Sequence, residues 1–251
     1  MLNSGTCTPI QHSAFIILHY GMKDTTQCEK KLSLSFNSKA LLLQALTHRS
    51  YLNENPDFEL GHNERLEFLG DAVLELVVTE ELYNRFPDKP EGELTSFRAA
   101  LVNSTMLSAI AIDLDLNDYL LLSRGEAKDT GRARQYILAN AFEAVVGAIY
   151  LDQGYEGARA FIHRVLLRRL DEVLAKKLYK DPKSLFQEEA QERVNITPRY
   201  EVTREWGPDH DKHFTVGVFL DDNLVAEGEG PSKQAAQENA AKNALHVKGW
   251  L

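Results

Sequence analysis

The run His62-Asn63-Glu64-Arg65-Leu66-Glu67-Phe68-Leu69-Gly70-Asp71-Ala72-Val73-Leu74-Glu75 constrains this chain more than any other part of it. Glu64, Glu67 and Asp71 stand at i, i+3 and i+7, so in a helix they share one face on successive turns, where like charges repel by a few tenths of a kcal/mol per pair. Leu66, Leu69, Val73 and Leu76 repeat at helical spacing on another face, which predicts a helix that buries those four against a core. The carboxylates then line whatever lies opposite.

A solvated acidic helix face would account for the stripe by itself. Two features point instead to a site. Gly70 sits inside the predicted helix at a cost of about 1 kcal/mol relative to alanine, which suggests that another backbone passes close beside Asp71. Closely spaced hard oxygens also suit Mg²⁺ or Mn²⁺. A second acidic element lies downstream, in the nearly apolar, alanine-rich run from Ile137 to Leu151, where Asn140 and Glu143 are the only strongly polar side chains. A carboxylate in a helix that is apolar all round needs a partner, either a core arginine or a cation shared with Glu67 and Asp71. The expectation is that Asn140 and Glu143 face Glu67 and Asp71 across a metal ion.

With 251 residues and 43% hydrophobic content, the chain can form one large or two modest domains. Cys7 and Cys28 are far apart and make no CxxC pair, which argues against a zinc site or a disulfide framework and fits a reducing, cytoplasmic compartment. The apolar patch Ala14 to Leu18 is too short to span a membrane and lacks the flanks of a signal peptide. Met22 is as good a start as Met1, and residues 1–28 read as a disordered extension. No motif calls for an organic cofactor. A net charge of −9 weakens the case for a nucleic-acid partner, although bound divalent ions would cancel part of it.

From about Leu32 to Leu178 the pattern is helical throughout, with helices read at Leu41 to Leu46, Thr95 to Ile112 and Tyr155 to Leu174, the last carrying Arg164, Arg168 and Arg169 outward. Proline- and glycine-rich loops fall at residues 87–92 and 123–132. After Lys180-Asp181-Pro182 the rhythm changes: a helix from Ser184 to Val194, alternating strands at Tyr200 to Trp206 and Phe214 to Leu220, a short strand at Leu224 to Gly228, and a helix from Ser232 to Leu245. The expected architecture is an all-α domain over residues 29–178 followed by a small α+β domain of order α-β-β-β-α over 182–250.

The run from His62 to Asp71 resembles the signature of ribonuclease III, and the C-terminal module resembles a double-stranded RNA-binding domain. Ala45-Leu46-Thr47-His48-Arg49-Ser50-Tyr51, Arg124-Gly125-Glu126 and the segment from Ile137 to Ala144 extend the likeness over nearly everything from residue 30 to 248. The resemblance implies a homodimer that cuts both strands of duplex RNA, with Phe68 as the dimer contact. Glu67, Asp71 and Glu143 match three of the family's four Mg²⁺-site carboxylates, Asp71 and Glu143 in the positions tied most closely to catalysis, and Glu64 matches a residue near the RNA-processing centre. The fourth metal position, commonly Asp, is Asn140 here; an amide oxygen can still ligate but removes one negative charge, so weaker metal binding is expected. Hydrolysis would leave 5′-phosphate and 3′-hydroxyl ends in the processing of ribosomal and other RNAs.

In the C-terminal module the resemblance places Ser184, Gln187, Glu188 and Gln191 at one minor groove, His210 at the next, and Lys233 on phosphates at the start of the last helix. Only one basic residue stands where the family usually has two or three, so weak binding with a shallow salt dependence is expected of the module alone. Two rivals stay open at this level. One is a non-catalytic duplex-RNA binder, which Asn140 favours and the intact carboxylates oppose; the other is an all-α phosphohydrolase of small molecules, which leaves the C-terminal module unexplained.

Overall fold

The computed structural model describes residues 25–250 except Asp209 and His210. His210 and the apolar patch at residues 14–18 therefore lie outside the described residues. The chain forms two compact units that divide between Asp171 and Glu172.

The first unit is helical: α1 Thr25–Leu32, α2 Lys39–Ala45, α3 Arg49–Glu54, α4 Glu64–Arg85, α5 Glu91–Leu101, α6 Ser104–Asp113 and α7 Arg132–Val165, with single turns of 3₁₀ helix between α6 and α7 and after α7. The centre of this unit is the crossing of α4 and α7. Leu66, Val73, Leu74, Val77 and Val78 of α4 are buried, as are Phe142, Val145, Val146 and Ile149 of α7. Glycine permits the closeness of the crossing. A Cβ added at Gly70 would stand 1.8 Å from the carbonyl oxygen of Glu143, and one at Gly147 would stand 2.2 Å from that of Leu66. The two backbones meet at the turns that carry Glu67, Asp71 and Glu143.

Several expectations are corrected here. Leu76 is 57% exposed, and Leu74 and Val77 take the buried positions, because the core-facing stripe follows where α7 lies rather than the most hydrophobic spacing. The predicted helix from Thr95 to Ile112 is two helices. Asn103 breaks it, its side-chain oxygen accepting from the Met106 amide at 2.9 Å to cap α6 while its amide group donates to the carbonyls of Ala99 and Ala100 at the end of α5. The backbone of α7 is non-helical at Gly154 (φ +74°, ψ −171°), so a second helical segment opens at Tyr155 as expected; it ends at Val165 rather than running to Leu174, and Leu167–Arg169 is a 3₁₀ turn that leads into α8, Leu170–Ala175. Residues 25–28, expected in a disordered extension, are helical: α1 starts at Thr25, and burial of Cys28 and Leu32 holds it in place.

The second unit contains α9 Pro182–Val194, β1 Arg199–Trp206, β2 His213–Leu220, β3 Asn223–Gly230 and α10 Lys233–Lys248. The strands form an antiparallel sheet in the order β1-β2-β3, with Val202 opposite Val216 and Val218 opposite Ala226. Val218 and Leu220 pack with Leu185, Phe186 and the alanines of α10. Those alanines let α10 lie close to the sheet, where a Cβ at Gly228 would fall 2.1 Å from the Ala240 nitrogen. Glu172 to Leu178, expected in the first domain, belongs with this unit: Lys177 bonds the buried Glu189 at 2.6 Å, and Glu189 also takes Arg193 at 2.7 Å. Those cations hold the Glu189 carboxyl below the usual carboxylate range, first through the hydrogen bond from Lys177.

Candidate functional site

Residues 62–64 enter α4 through a buried Asn63, whose backbone amide donates to Thr47 at 2.9 Å and whose side-chain amide donates to Ala45 at 3.3 Å. These bonds fix where the helix starts, and Glu64 and Glu67 occupy its first turn, where the helix dipole favours carboxylates. Glu64 is partly neutralised, with Arg49 at 3.5 Å and His62 at 3.7 Å.

Glu67, Asp71 and Glu143 have no such relief: among the described residues no lysine, arginine or histidine pairs with them. Burial pushes the Glu67 carboxyl above its usual range, the charges of Glu64 and Asp71 push it further, and a hydrogen bond from the Asn140 amide pulls it partly back. Glu143 lies deeper. Burial first, then the charges of Asp71 and Glu67, raise it from 4.5 to about 7. The structure thus brings Glu67, Asp71, Asn140 and Glu143 to one place, the α4–α7 crossing, as expected from sequence.

The candidate donor set is three carboxylates and one neutral amide oxygen, all hard, and among the described residues no cation pairs with the carboxylates. That chemistry fits a small divalent cation such as Mg²⁺ or Mn²⁺. Among the described residues no three acidic, imidazole or thiol groups already close on a single point, so these oxygens do not form a finished cage. A cation held by two or so protein oxygens plus water and substrate does not require one.

Phe68, on the same helix, is 82% exposed, beside a cavity of about 600 Å³ lined by Leu41, Leu66, Leu69 and Leu151 among others. An exposed phenylalanine next to an apolar recess has the form of a self-complementary contact.

In the second unit Ser184, Gln187, Glu188 and Gln191 line one open groove with Glu192. Three of them already have protein partners: the Ser184 hydroxyl bonds Asp181 at 3.0 Å, Glu188 pairs with Lys180, and Gln191 bonds Asn195. Lys233 begins α10 just after its cap, Ser232, with its ammonium 5.7 Å from the Phe214 ring centre.

Sequence reasoning passed over Gly147, the counterpart of Gly70. Its signal was a glycine in an alanine-rich buried helix, four residues after Glu143, which is the spacing that places both on one face.

Comparison with known proteins bears on both units. The family described as Ribonuclease-III-like matches residues 38–170, and the double-stranded RNA binding motif matches residues 182–248. The protein named Ribonuclease 3 of Desulforamulus reducens is 45% identical over 228 residues, 90% of this chain and 93% of that protein. Ribonuclease 3 of Carboxydothermus hydrogenoformans is 46% identical over 219 residues, covering 87% of this chain and 93% of the other. Among solved structures, the nuclease domain of ribonuclease III from Campylobacter jejuni, described for flexibility in a region involved in dimer formation, is similar at TM-score 0.53 and 41% identity, over 58% of this chain and 97% of its own.

Proposed function

The chain belongs to the ribonuclease III family and is a double-strand-specific endoribonuclease, and on that premise we propose that Glu67, Asp71, Asn140 and Glu143 form its catalytic metal site, with Asp71 and Glu143 the residues on which hydrolysis depends most. The observation that carries this reading is the uncompensated carboxylate set at the glycine-lined crossing of α4 and α7. Mg²⁺ held there would polarise a phosphodiester oxygen and lower the pKa of water, leaving 5′-phosphate and 3′-hydroxyl ends in the processing of ribosomal and other RNAs.

The chain's own residues prepare that chemistry. The close backbones hold the four side chains at fixed spacing, so little reorganisation is needed when charge builds up. Asn140 donates to Glu67, and as a metal ligand its amide oxygen would bring one charge fewer than a carboxylate there. Glu64, between Arg49 and His62, lies one turn outside and borders the RNA-processing centre. Ser184, Gln187, Glu188 and Gln191, with His210 and Lys233, would meet the duplex from the second unit. For Ser184, Glu188 and Gln191 this means exchanging partners within the module for RNA, which supports modest affinity.

The decisive test uses purified full chain with millimolar Mg²⁺ on long duplex RNA, single-stranded RNA and duplex DNA. Only duplex RNA should be cut, into fragments whose 5′ ends are phosphatase-sensitive, and excess EDTA should stop cutting. An inert parent alongside an active Asn140→Asp would defeat the reading of this chain as an active enzyme.

Metal affinity should carry the signature of Glu143. Since its carboxyl titrates near 7 in the fold, a cation must displace a proton below that pH, so calorimetric Mg²⁺ affinity should fall about tenfold per pH unit from 7 toward 5 and level off above 8. Asn140→Asp should tighten binding by roughly tenfold, the scale of one added carboxylate interaction of about 1.4 kcal/mol. Affinity that ignores pH would remove Glu143 from the site.

Phe68 supports pairing of two copies through the recess beside it. Sedimentation should show a dimer for the parent and a monomer for Phe68→Asp. A dimeric variant would place the interface elsewhere.

A further inference from the structure

The second unit holds a cavity of about 530 Å³ between α10 and the stretch of chain that leads into α9. Its floor is leucine: Leu185 and Leu245 are each 2% exposed, and Leu178 is 50% exposed. None of its lining residues belongs to the groove formed by Ser184, Gln187, Glu188 and Gln191, and Lys233 is not among them.

A turn sets Leu178 in place there. At the end of α8 the Leu178 amide donates to the Val173 carbonyl at 2.9 Å and the Lys177 amide to that of Leu174 at 3.1 Å, with Lys177 in the left-handed region at φ +49°. Lysine is uncommon in that conformation, and the bond from its ammonium to the buried Glu189, at 2.6 Å, ties it down. Cations surround the leucines. Lys176 pairs with Glu172 at 2.8 Å and Lys180 pairs with Glu188, both at the surface, where such pairs are worth little and exchange readily. Lys242 and His246, one turn apart on α10, have no carboxylate partner among the described residues. On a chain of net charge −9, an apolar recess edged by cations is complementary to an anion that carries an apolar body.

We propose that this cavity is a docking site for an acidic peptide segment of a partner protein, whose large apolar side chain fills the recess while neighbouring carboxylates pair with Lys242 and, by exchange, with Lys176. Duplex RNA brings negative charge but no apolar group to set against three leucines, so the floor selects peptide over nucleic acid. A helical segment with leucine or phenylalanine at i and i+4 and glutamate around them meets both demands at once. Such a partner holds the enzyme without taking the residues proposed to meet RNA.

The test is fluorescence anisotropy of a labelled helical peptide of about two turns, glutamate-rich with leucine and phenylalanine at i and i+4, titrated with the full chain in EDTA. Two control peptides carry lysine for every glutamate, or serine for every apolar residue. The acidic apolar peptide should bind and neither control should. Lys242→Glu should weaken binding about fivefold, on the scale of one surface charge pair, and added salt should weaken the parent's binding more than that of this variant. Leu178→Ser should weaken it about tenfold through lost apolar contact, with the melting temperature of both variants matching the parent. Absence of saturation by about 1 mM protein would overturn the proposal, as would equal binding by parent and both variants, or by either control peptide. Full displacement of the peptide by equimolar duplex RNA would assign the lysines to the RNA surface and overturn it too. A fatty-acid anion that binds where the peptide does not would replace the occupant, and self-association of the parent that Leu178→Ser abolishes would make the occupant a second copy; either result overturns the proposal as stated.

Discussion

Glu143→Gln should abolish cleavage of duplex RNA while leaving RNA binding in EDTA intact. The loss expected in kcat is at least about 10³-fold, or roughly 4 kcal/mol of transition-state stabilisation, because the change removes a metal-site charge and keeps the shape of the side chain. The same variant should be more stable than the parent in metal-free buffer above neutral pH. The carboxyl is raised from 4.5 to about 7 in the fold by burial and by Asp71 and Glu67, so the fold disfavours its ionised form. No penalty exists below the unfolded value near 4.5, where the acid is neutral in both states. The penalty grows as pH rises through the window from 4.5 to 7 and is complete above it. After discounting for the side chain's partial exposure, it is worth about 1–2 kcal/mol, or a gain of roughly 2–5 °C in melting temperature at pH 8 that vanishes at pH 4. Thermal melts of parent and variant at the two pH values, with cleavage assays on the same samples, check both halves. A variant that is inactive and also less stable at pH 8 would mean that Glu143 serves the fold rather than a cation.

Gly70→Ala should be the most damaging single methyl group in the nuclease unit. Helix propensity alone predicts a gain of about 1 kcal/mol. The structure predicts the opposite, because the new Cβ would lie 1.8 Å from the Glu143 carbonyl oxygen, 2.6 Å from its carbon and 2.8 Å from the Gly147 nitrogen. All three are backbone atoms, so no side chain can rotate away and α4 must separate from α7. Forced separation of a packed core costs more than the 1–3 kcal/mol of ordinary overpacking, and about 3–5 kcal/mol is expected here, a large part of a typical domain's stability. Since Glu143 itself is at the contact, activity should fall in whatever fraction remains folded. Gly92→Ala is the matched control: it lies in the first turn of α5 with nothing within 4 Å of the added carbon, and should be neutral or mildly stabilising. Equilibrium unfolding of the two variants separates a crossing defect from a general intolerance of alanine.

Much of the site was legible because helix spacing is local. Glu64, Glu67 and Asp71 on one face, and Asn140 with Glu143 on another, follow from 3.6 residues per turn, and the structure brings four of these five together at one crossing with no paired cation among the described residues. Less was legible where a residue's role depends on what arrives from elsewhere. Leu76 has the same spacing credentials as Val73 yet is exposed, because α7 packs against Leu74 and Val77. Asn103 sits in an unbroken helical pattern, and its side chain divides that pattern by bonding to both halves. Arg134 is one more arginine near a loop by sequence, and only the fold gives its guanidinium three backbone carbonyls, those of Asp129, Glu126 and Ala127.

By itself the order of residues determined the two-part architecture, the helical site residues, the family likeness and the need for something beside Gly70, since each rests on backbone periodicity, turn chemistry or residue type. Tertiary structure decided which backbone fills that space. Leu66 and Gly147, like Gly70 and Glu143, lie far apart along the chain, and no local preference links them; they meet because two apolar helix faces bury each other most fully when glycine lets the backbones touch. The pKa of Glu143 comes from the same contact, since burial and the charges of Asp71 and Glu67 act on it only once α4 lies against α7.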